Sequence, residues 1–494
     1  MCDSCATIAE LDVEIEATKE KLARLFRKRF NLKTERNIKH DSFTCLPTEV
    51  ISRIFAICLP EEPYPLVRWG YPNPLFEELP IALLLRSVST QWRQISESTP
   101  QLWTYIKIRI DDSNSVESAK RFRQWLSRSG NLPVSIRIYM KASIDLDSEP
   151  LPDSLTRPLI NVVNKVSHRW GMLEVHMPEV LITRLCGNGS STTTLHSLGL
   201  TPSEWTLGGR VSTRFSMKNV LPTPSSIGLR SLHLDSMDVD WTNLLYIEGF
   251  GFRLDECLLV VQRCPRLLRC SFEGVDRRAT IRRHDRVHIV HNFIRWLWLE
   301  DWGNIADFFD NVSFPSLVYL EFMASNLSSR PLEVVTSFIR RSGCSLGTLR
   351  ISDGDLQEAP IIPLLEATPQ LRTLDLFNIK LSDTLFCHLG ETVSGVYNGE
   401  DTAFLPDLNS IYLHGALTFS WPSVAAIYTP CDTDDSSSVH QRECSLKIVS
   451  SEYRTPIRFI DDENSAVFRE LIQEDGVGLS IVDSSHRNII KDLE

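Results

Sequence analysis

Apolar residues near the start of the chain recur at the spacing of a helix. In residues 6–39 they follow a heptad a/d track, which only Thr18 and Arg29 interrupt. The apolar residues on this track are Ile8, Leu11, Ile15, Leu22, Leu25 and Leu32. This pattern indicates a coiled-coil segment, and therefore a homodimer through residues 6–39. The alternative is one amphipathic helix that docks on its own protein or frays in solvent.

A second, shorter helical pattern lies in LPTEVISRIFAICLP, residues 46–60. Its apolar stripe occupies positions i, i+3, i+4 and i+8, which are Ile51, Ile54, Phe55 and Leu59. Pro47 suits the first helical position, where no backbone N–H is needed, and Glu49 suits the positive end of the helix dipole. A helix this short is too small to form a core, so it needs a neighbour.

Helical spacing resumes after a proline-rich loop at residues 61–80. The next apolar positions are Ile81, Leu84, Leu85, Val88, Trp92 and Ile95. Ser89 is predicted to cap a second helix within this stretch. PQLWTYIKIRI (100–110) then alternates as a strand does.

From about residue 111 the chain repeats the pattern L-x-x-L-x-L. The copies are Leu195, Leu198, Leu200; Leu229, Leu232, Leu234; Leu317, Leu320, Phe322; Leu346, Leu349, Ile351; Leu371, Leu374, Leu376; and Leu408, Ile411, Leu413. Looser copies are Trp170, Leu173, Val175 and Leu267, Cys270, Phe272. This pattern predicts the strand and turn of a leucine-rich repeat, whose stacked units leave a surface for gripping another protein. An ordinary leucine-rich α/β domain is the alternative.

The spacing between these copies is irregular. Their middle positions lie 25 to 50 residues apart, whereas a regular array repeats every 20 to 29 residues. Several units therefore carry insertions or hide undetected repeats. Two stretches, FRQWLSRSGNLPVSIRIYM (122–140) and VTSFIRRSGCSLGTLRIS (335–352), each predict a helix that ends in an Arg-Ser-Gly cap before a strand. After residue 430 the pattern fades into a polar loop, two short strands and a helix over 466–472.

Composition narrows the class of protein. The chain has 494 residues, of which 42% are hydrophobic and 23% charged, which is typical of a folded protein. A net charge of −11 argues against nucleic-acid binding, and no apolar run is long enough to span a membrane. The opening is polar and acidic where a secretory signal would be basic and then apolar. Twelve scattered cysteines indicate reduced thiols, so we expect a cytoplasmic or nuclear protein.

Three motifs resemble catalytic or metal sites. GCSLG (343–347) matches G-x-S-x-G, but a nucleophile elbow needs a strand before the serine and a helix after it, and here the predicted order is reversed. Ser345 is therefore predicted to be a turn residue. His284, His288 and His291 would share one helix face, yet five arginines oppose a cation there, and Cys2 and Cys5 form a lone C-x-x-C. We expect no enzyme activity, no cofactor and no metal.

Two basic segments have functional interpretations. The cluster Arg277, Arg278, Arg282, Arg283 and Arg286 has the composition of a pocket for a phosphorylated peptide, since arginines bind phosphate through forked hydrogen bonds. A solvated repeat insertion is the alternative. The run RLFRKRFNLKTERNIKH (24–40) is either a nuclear address or a solvated helix end.

Residues 46–106, taken together, resemble an F-box. The general pattern is LP-x-E-(V/I)-(L/I)-x-x-I-F, a loop, R-x-V-S-x-x-W-R and P-x-L-W. The matches are Leu46, Pro47, Glu49, Val50, Ile54, Phe55, Arg86, Val88, Ser89, Trp92, Arg93, Pro100, Leu102 and Trp103. The layout is similar to that of fungal F-box-like proteins with a helical leader and a degenerate leucine-rich tail, and the insert at 61–80 departs from the compact box.

The resemblance implies a function. An F-box is a small helical bundle that docks on a Skp-type adaptor, which joins a cullin. The resemblance implies adaptor contacts at Leu46, Pro47, Ile51, Ile54 and Phe55, with Val88, Trp92 and Trp103 divided between adaptor contacts and the bundle's own core. We therefore expect the substrate-receptor subunit of a Skp–cullin–F-box ubiquitin ligase, whose leucine-rich repeats bind a protein substrate. The alternative is a non-catalytic interaction scaffold with a drifted box.

The expected fold class is α/β. We predict a helical leader at 1–42, an all-α F-box bundle at 43–108 with its insert at 61–80, an irregular leucine-rich-repeat solenoid at 109–430, and a closing segment at 431–494.

Overall fold

A computed structural model of the chain describes residues 3–40, 43, 46–59, 80–110, 115–140, 153–203, 214–275, 288–300, 305–323, 331–352, 358–391, 404–415, 419–428, 444–449, 462–473 and 478–482. The α-helices in these ranges are α1 (Asp3–His40), α2 (Thr48–Ile57), α3 (Ile81–Val88), α4 (Thr90–Ser98), α5 (Ser115–Arg128), α6 (Asp153–Lys165), α7 (Glu179–Ile182), α8 (Leu254–Arg263), α9 (Ile305–Phe309), α10 (Pro331–Ser342), α11 (Ile361–Glu366), α12 (Asp383–Glu391), α13 (Trp421–Ala425) and α14 (Asp462–Gln473).

The strands in the same ranges are β1 (Tyr105–Ile110), β2 (Val134–Met140), β3 (Trp170–Met177), β4 (Ser197–Pro202), β5 (Ser226–Arg230), β6 (Tyr246–Phe250), β7 (Arg269–Glu273), β8 (Ile289–Val290), β9 (Trp296–Glu300), β10 (Val312–Ser313), β11 (Tyr319–Met323), β12 (Thr348–Ser352), β13 (Thr373–Phe377), β14 (Ser410–His414), β15 (Ser445–Val449) and β16 (Gly478–Val482). The chain divides into two compact units. The first comprises Met1–Glu61, Asn73–Thr104 and Trp125–Leu132, and the second comprises Glu62–Pro72, Tyr105–Gln124 and Pro133–Glu494.

The first unit is helical. It contains α1 to α4 and a short 3₁₀ helix at Pro100–Trp103. Ser89 ends α3 in an extended conformation, and its side chain accepts a hydrogen bond from the Trp92 backbone N–H at 3.1 Å, which caps α4. The predicted cap at Ser89 is confirmed, because serine at this position satisfies a backbone donor that the first turn leaves free.

The second unit is built on a parallel sheet of fourteen strands. They run in chain order from β1 to β16, and β8 and β10 form a separate pair. In β11 the core residues Leu320 and Phe322 are fully buried, and Glu321 between them is also only 8% exposed. The expected α/β class is therefore confirmed in its coarse form, a mixed α/β chain with a large parallel sheet.

A repeated backbone hydrogen bond joins neighbouring strands. One carbonyl oxygen just before a strand accepts from two consecutive N–H groups at the start of the next strand in the sheet. The acceptors from β5 onward are Ser225, Leu245, Leu268, Arg295, Val318, Gly347 and Arg372, at 2.8–3.2 Å. Because each pair involves only adjacent strands, it aligns the register of each strand with the previous one.

The L-x-x-L-x-L pattern located most strands correctly. Leu320, Leu349, Leu374 and Ile411 are direct register partners across β11 to β14, and Leu173 pairs with Leu198 in the same way. One copy was placed wrongly. The pattern placed a strand at Leu229, Leu232 and Leu234. The strand β5 instead uses Ile227 and Leu229 as its register residues, and Leu234 lies in a 3₁₀ helix.

The irregular spacing resulted partly from undetected repeats. The two widest gaps in the pattern contain β6 and β9, whose register residues are Ile247 and Leu297. With these included, Ile227, Ile247, Cys270, Leu297 and Leu320 lie 20, 23, 27 and 23 residues apart. The sheet also begins at Tyr105 and continues through β15 and β16, beyond residue 430.

Both Arg-Ser-Gly stretches end a helix as predicted. Gly130 follows α5 at φ +57°, and Gly343 follows α10 at φ +59°. A left-handed residue at this point favours glycine, since a β-carbon would add strain. The strands β2 and β12 begin four and five residues later, at Val134 and Thr348.

The leader forms a single long helix, α1, of 38 residues. All of its described side chains from 7 to 36 are exposed. Among the described residues, none of the helices combines the length and apolar character that a membrane span requires. Whether α1 pairs with another helix remains a prediction.

Candidate functional site

The helical unit has its own hydrophobic core. Residues from α2, α3, α4 and the 3₁₀ helix bury their side chains together, and these are Ile51, Phe55, Ala82, Leu85, Ile95, Leu102 and Trp103. The stripe predicted on α2 therefore finds its neighbour within the chain, because Ile51 and Phe55 are each only 1% exposed. The separated halves of the box-like motif form one packed cluster.

Trp92 holds the two halves of this cluster together. Its ring lies 4.8 Å from the Phe55 ring and 5.4 Å from the Phe43 ring, measured between centroids. These tilted and edge-on arrangements are the favoured geometry for aromatic pairs. Trp92 is half-buried, so one part of it belongs to the core and the rest faces outward.

Trp103 is the central buried residue of the cluster. It is fully buried, and its indole N–H donates a hydrogen bond to the Ser96 carbonyl oxygen at 2.7 Å. The Arg128 guanidinium lies over its ring, 4.5 Å from the centroid. Glu97 forms ion pairs with Arg86 at 2.6 Å and with Arg128 at 3.3 Å. Trp103 therefore stabilises the unit and has no surface to offer a partner.

Other apolar residues of the same helices remain exposed. On α2 and just before it, Leu46, Val50 and Ile57 are 38%, 43% and 75% exposed. Val50 and Ile57 are seven residues apart and so share one face of α2, which differs from the face of the buried Ile51 and Phe55. On α3, Leu84 and Val88 are four residues apart and are also exposed. These five residues are called the exposed apolar set.

The predicted adaptor contacts divide between core and surface. Leu46, Pro47 and Val88 are exposed, and Ile54 and Trp92 are half-buried. Ile51, Phe55 and Trp103 are buried in the unit's own core, which leaves Ile51 and Phe55 almost no exposed surface for the adaptor contacts that the resemblance implies.

Val50, Ile57 and Leu84 are exposed apolar residues that were not among the predicted adaptor contacts. The i, i+7 spacing of Val50 and Ile57 was a usable signal, since it marks a second apolar face on the same short helix.

A second surface lies on one face of the large sheet. Residues in direct register across neighbouring strands share that face, because side chains alternate along a strand. Across β6, β7, β9, β11, β12 and β13 this row consists of Glu248, Ser271, Trp298, Glu321, Arg350 and Asp375. We call these residues the polar row. Their chain neighbours, such as Leu320 and Leu349, are buried in the core on the other side.

Ion pairs link adjacent strands along this face. Arg350 lies between two nearly buried carboxylates, at 2.7 Å from Asp375 and 3.8 Å from Glu321. The Tyr319 hydroxyl donates to Glu321 at 2.5 Å, and burial together with this bond raises the pKa of Tyr319 to about 12. On β2 and β3, Arg137 pairs with Glu174 at 2.6 Å.

Glu248 differs from the other acids of the polar row. It is only 9% exposed, and its Oε2 has no hydrogen-bond partner among the described residues. Burial raises the pKa of Glu248 to about 8, although Arg269 and Arg230 nearby act in the opposite direction. A small, open cleft lies beside it, lined by Leu229, Arg230, Gly249, Phe250, Ser271, Glu273 and Trp298. The face therefore offers a protonatable group next to apolar and aromatic walls.

The histidine motif is not a helix where it is described. His288 and His291 flank the two-residue strand β8, so the predicted helix face is wrong for them, and His284 lies outside the described residues. His291 is buried, with Nε2 at 2.9 Å from the Cys264 carbonyl oxygen and Nδ1 facing the N–H groups of Phe293 and Ile294. It is thereby a structural histidine, and no metal-binding group occurs within the described ranges.

The other chemical motifs have structural placements too. Ser345 lies in the loop between α10 and β12, so the predicted helix-before, strand-after order is confirmed. Cys257, Cys264 and Cys270 are buried thiols that form no disulfide, and burial raises the pKa of Cys264 to about 12. The arginine cluster 277–286, the insert 61–79 and the side chains of Cys2 and Cys5 lie outside the described residues.

No protein-family model and no curated protein matches this chain.

Proposed function

We propose that this chain is the substrate-receptor subunit of a Skp–cullin–F-box ubiquitin ligase. In this proposal the first unit is an F-box bundle that binds a Skp-type adaptor, and the second is a leucine-rich-repeat solenoid whose polar face binds the substrate. The protein itself catalyses nothing. It holds a substrate near the ubiquitin-loaded enzyme, which raises the effective concentration of the reacting groups.

The observation that carries the proposal is the division of apolar residues in the helical unit. One set fills a closed core, whereas the exposed apolar set stays outside it on the same short helices. A unit of this size has no need of both sets for its own stability. Exposed apolar faces on a small helical unit favour a partner protein, and the resemblance to the F-box identifies the partner as a Skp-type adaptor.

The core residues supply the fold of this docking unit. Each motif residue that is buried or hydrogen-bonded has a role in it: Ser89 caps α4, Trp92 packs on Phe55, and Trp103 anchors the 3₁₀ helix. This division explains why the motif contains more apolar residues than a single contact surface needs.

The substrate-binding role rests on the polar row. A sheet face that carries charged and aromatic side chains in register offers alternating attractive contacts to a protein partner. The cleft beside Glu248 adds apolar walls to this face, next to a carboxylate oxygen that has no hydrogen-bond partner among the described residues.

Co-purification with a Skp-type adaptor tests the proposal. Val50→Asp with Ile57→Asp changes only exposed residues, and replacing an apolar side chain at an interface by a charged one costs about 2 kcal/mol, or roughly 30-fold in Kd. We expect the double variant to lose adaptor binding while it keeps the helical content of the wild type. Val180→Asp is the matched control, since Val180 is 60% exposed on α7 of the other unit. It should bind as the wild type does.

Two results would decide against the proposal. Unchanged adaptor binding by a folded Val50→Asp, Ile57→Asp variant would mean that the exposed apolar set does not contact the adaptor. No adaptor in the wild-type complex would favour the alternative, a non-catalytic interaction scaffold with a drifted box.

A further inference from the structure

The leader helix α1 is a largely charged helix that carries an apolar a/d track, and its side chains between residues 7 and 36 are exposed. Between residues 7 and 36 every side chain is exposed, and nine large apolar residues are at least 50% exposed: Ile8, Leu11, Val13, Ile15, Leu22, Leu25, Phe26, Phe30 and Leu32. Of the two alternatives to a coiled coil, docking on its own protein is therefore not seen for this part of α1 among the described residues. An isolated helix with this composition gains stability only when a partner covers its apolar track.

The charges on α1 are segregated along its length. Residues 7–20 contain five acidic residues and one lysine, a net charge of −4, whereas residues 21–36 contain seven basic residues and one glutamate, a net charge of +6. In a parallel pair in register, the acidic half of one helix would lie beside the acidic half of the other, and the two basic halves would lie side by side. It would also place Arg29, which lies on the a/d track, against the Arg29 of the second copy.

We propose that α1 binds a second copy of this chain as an antiparallel coiled coil. The acidic half of each helix then lies along the basic half of the other. The a/d track from Ile8 to Leu32 overlaps itself completely in this orientation, with Ile8 opposite Leu32 and Ile15 opposite Leu25. The track covers about three and a half heptads, which is within the range that two-stranded coils need.

In the antiparallel register, the two residues that interrupt the track, Thr18 and Arg29, each lie opposite a leucine. Arg29 faces Leu11 of the other copy, so its aliphatic stem covers an apolar residue while its guanidinium reaches the acidic half. Thr18 faces Leu22. Like charges meet only at the centre of the pair, where Lys19 and Lys21 lie near the two-fold axis and extend into solvent.

Zero-length carboxylate–amine coupling with a carbodiimide determines the orientation. The carbodiimide activates a glutamate carboxylate, and a lysine amine that touches it displaces the activating group as a urea and forms an amide. In an equal mixture of isotopically heavy and light full-length protein, the antiparallel pair predicts a heavy–light link between Glu14 and Lys28. These residues lie about 21 Å apart on one helix, so the link cannot form within a copy. A heavy–light link between Glu14 and Lys19 would instead show a parallel pair and overturn the proposal.

Solution mass and charge-reversed variants test the pairing itself. The full-length protein should have the mass of two chains, and the dimer should weaken as salt rises from about 0.1 M to 1 M because screening reduces the attraction. Glu10, Glu14, Glu16 and Glu20→Lys changes the acidic half from −4 to +4. Arg24, Arg27, Lys28 and Lys33→Glu changes the basic half from +6 to −2.

Each quadruple variant alone should be monomeric, and an equal mixture of the two should form a heterodimer. A wild-type monomer would overturn the proposal. So would a dimer that survives deletion of residues 3–40, because its contact would then lie elsewhere. Neither result depends on adaptor binding, so the ligase proposal can fail or hold independently.

Discussion

The Trp92 ring packs against the Phe55 ring at 4.8 Å, and this contact joins α4 to α2 across a long insert in the sequence. The two residues lie in different halves of the box-like motif, 37 positions apart. The spacing of the motif therefore reflects the packing of a hydrophobic core. Changes to its members should separate into those that unfold the unit and those that leave it intact.

Phe55→Ala should destabilise the helical unit. Removing a buried phenylalanine costs about 3–5 kcal/mol, because it loses apolar burial and leaves a cavity. Backbone hydrogen exchange in peptides from α2 and α4 should accelerate by roughly 100-fold or more. Val50→Ala, on the exposed face of the same helix, should change exchange by less than about threefold. Equal effects of the two substitutions would contradict the assignment of Phe55 to the core.

Trp103→Phe should have a smaller effect than Phe55→Ala. It removes the indole N–H that donates to the Ser96 carbonyl oxygen, but that oxygen also accepts from the Thr99 N–H at 3.3 Å and so keeps one partner. We expect a loss of about 1–2 kcal/mol, measured as faster exchange in α4. A loss of stability as large as that of Phe55→Ala would mean that the indole ring and its contact with Arg128 contribute more than the hydrogen bond does.

Glu248→Gln should make the second unit more stable at alkaline pH. Because burial raises the folded-state pKa from its ordinary 4.5 to about 8, the folded state binds a proton that the unfolded state releases. The stabilising contribution is complete below about pH 4.5, declines as pH rises, and is lost once pH passes about 8. Urea unfolding followed from pH 5 to 9 should show a flatter profile in the variant.

Glu321→Gln provides the control for that experiment. Glu321 lies in the same polar row but is bonded to Tyr319 and Arg350. Its replacement should lower stability at neutral pH. If the Glu248→Gln profile follows the wild type instead, the carboxyl of Glu248 is not a buried, protonated group.

His291→Gln should reduce the loss of stability in acid. Burial is the main cause that lowers the pKa of His291, although its backbone hydrogen bonds act in the opposite direction. A folded-state pKa below the ordinary 6.5 means that stability is complete above that pH and falls as protons bind the unfolded chain. Unfolding midpoints at pH 5 and 7.5 should differ less in the glutamine variant, which cannot titrate there. An unchanged difference would place the acid sensitivity in other groups.

The sequence predicted strands where leucine spacing was regular and missed them where other residues took its place. β9 is built from WLWLE with Ile294 ahead of it, so it follows the repeat pattern with one isoleucine substituted. β6 has Gly249 at the position of a leucine, where Phe252 fills the space that a β-carbon would need. Packing between residues that are distant in the chain determines whether such a segment forms a strand, and the spacing of leucines in the sequence carries no information on that packing.

The candidate docking unit was predictable in composition but not in orientation. Apolar spacing located α2, α3 and α4, and serine chemistry located the cap at Ser89. The choice between the Ile51 and Phe55 face and the Val50 and Ile57 face depends on where α4 and the 3₁₀ helix lie. That information comes from contacts between residues far apart in the chain. The buried carboxyl of Glu248 had no sequence signal, since any glutamate in a strand has the same local pattern.

The position of Arg350 between Glu321 and Asp375 has a consequence for how this surface can change over time. Each of the three side chains comes from a different strand, so the charge that any one repeat presents is set partly by the repeats on either side. A substitution in one repeat alters the ion pairs of its neighbours, while the leucines beneath remain untouched. The charge pattern of this face would therefore change over groups of adjacent strands. Double-mutant cycles between substitutions in β11, β12 and β13 should be non-additive, whereas cycles between distant strands should be additive.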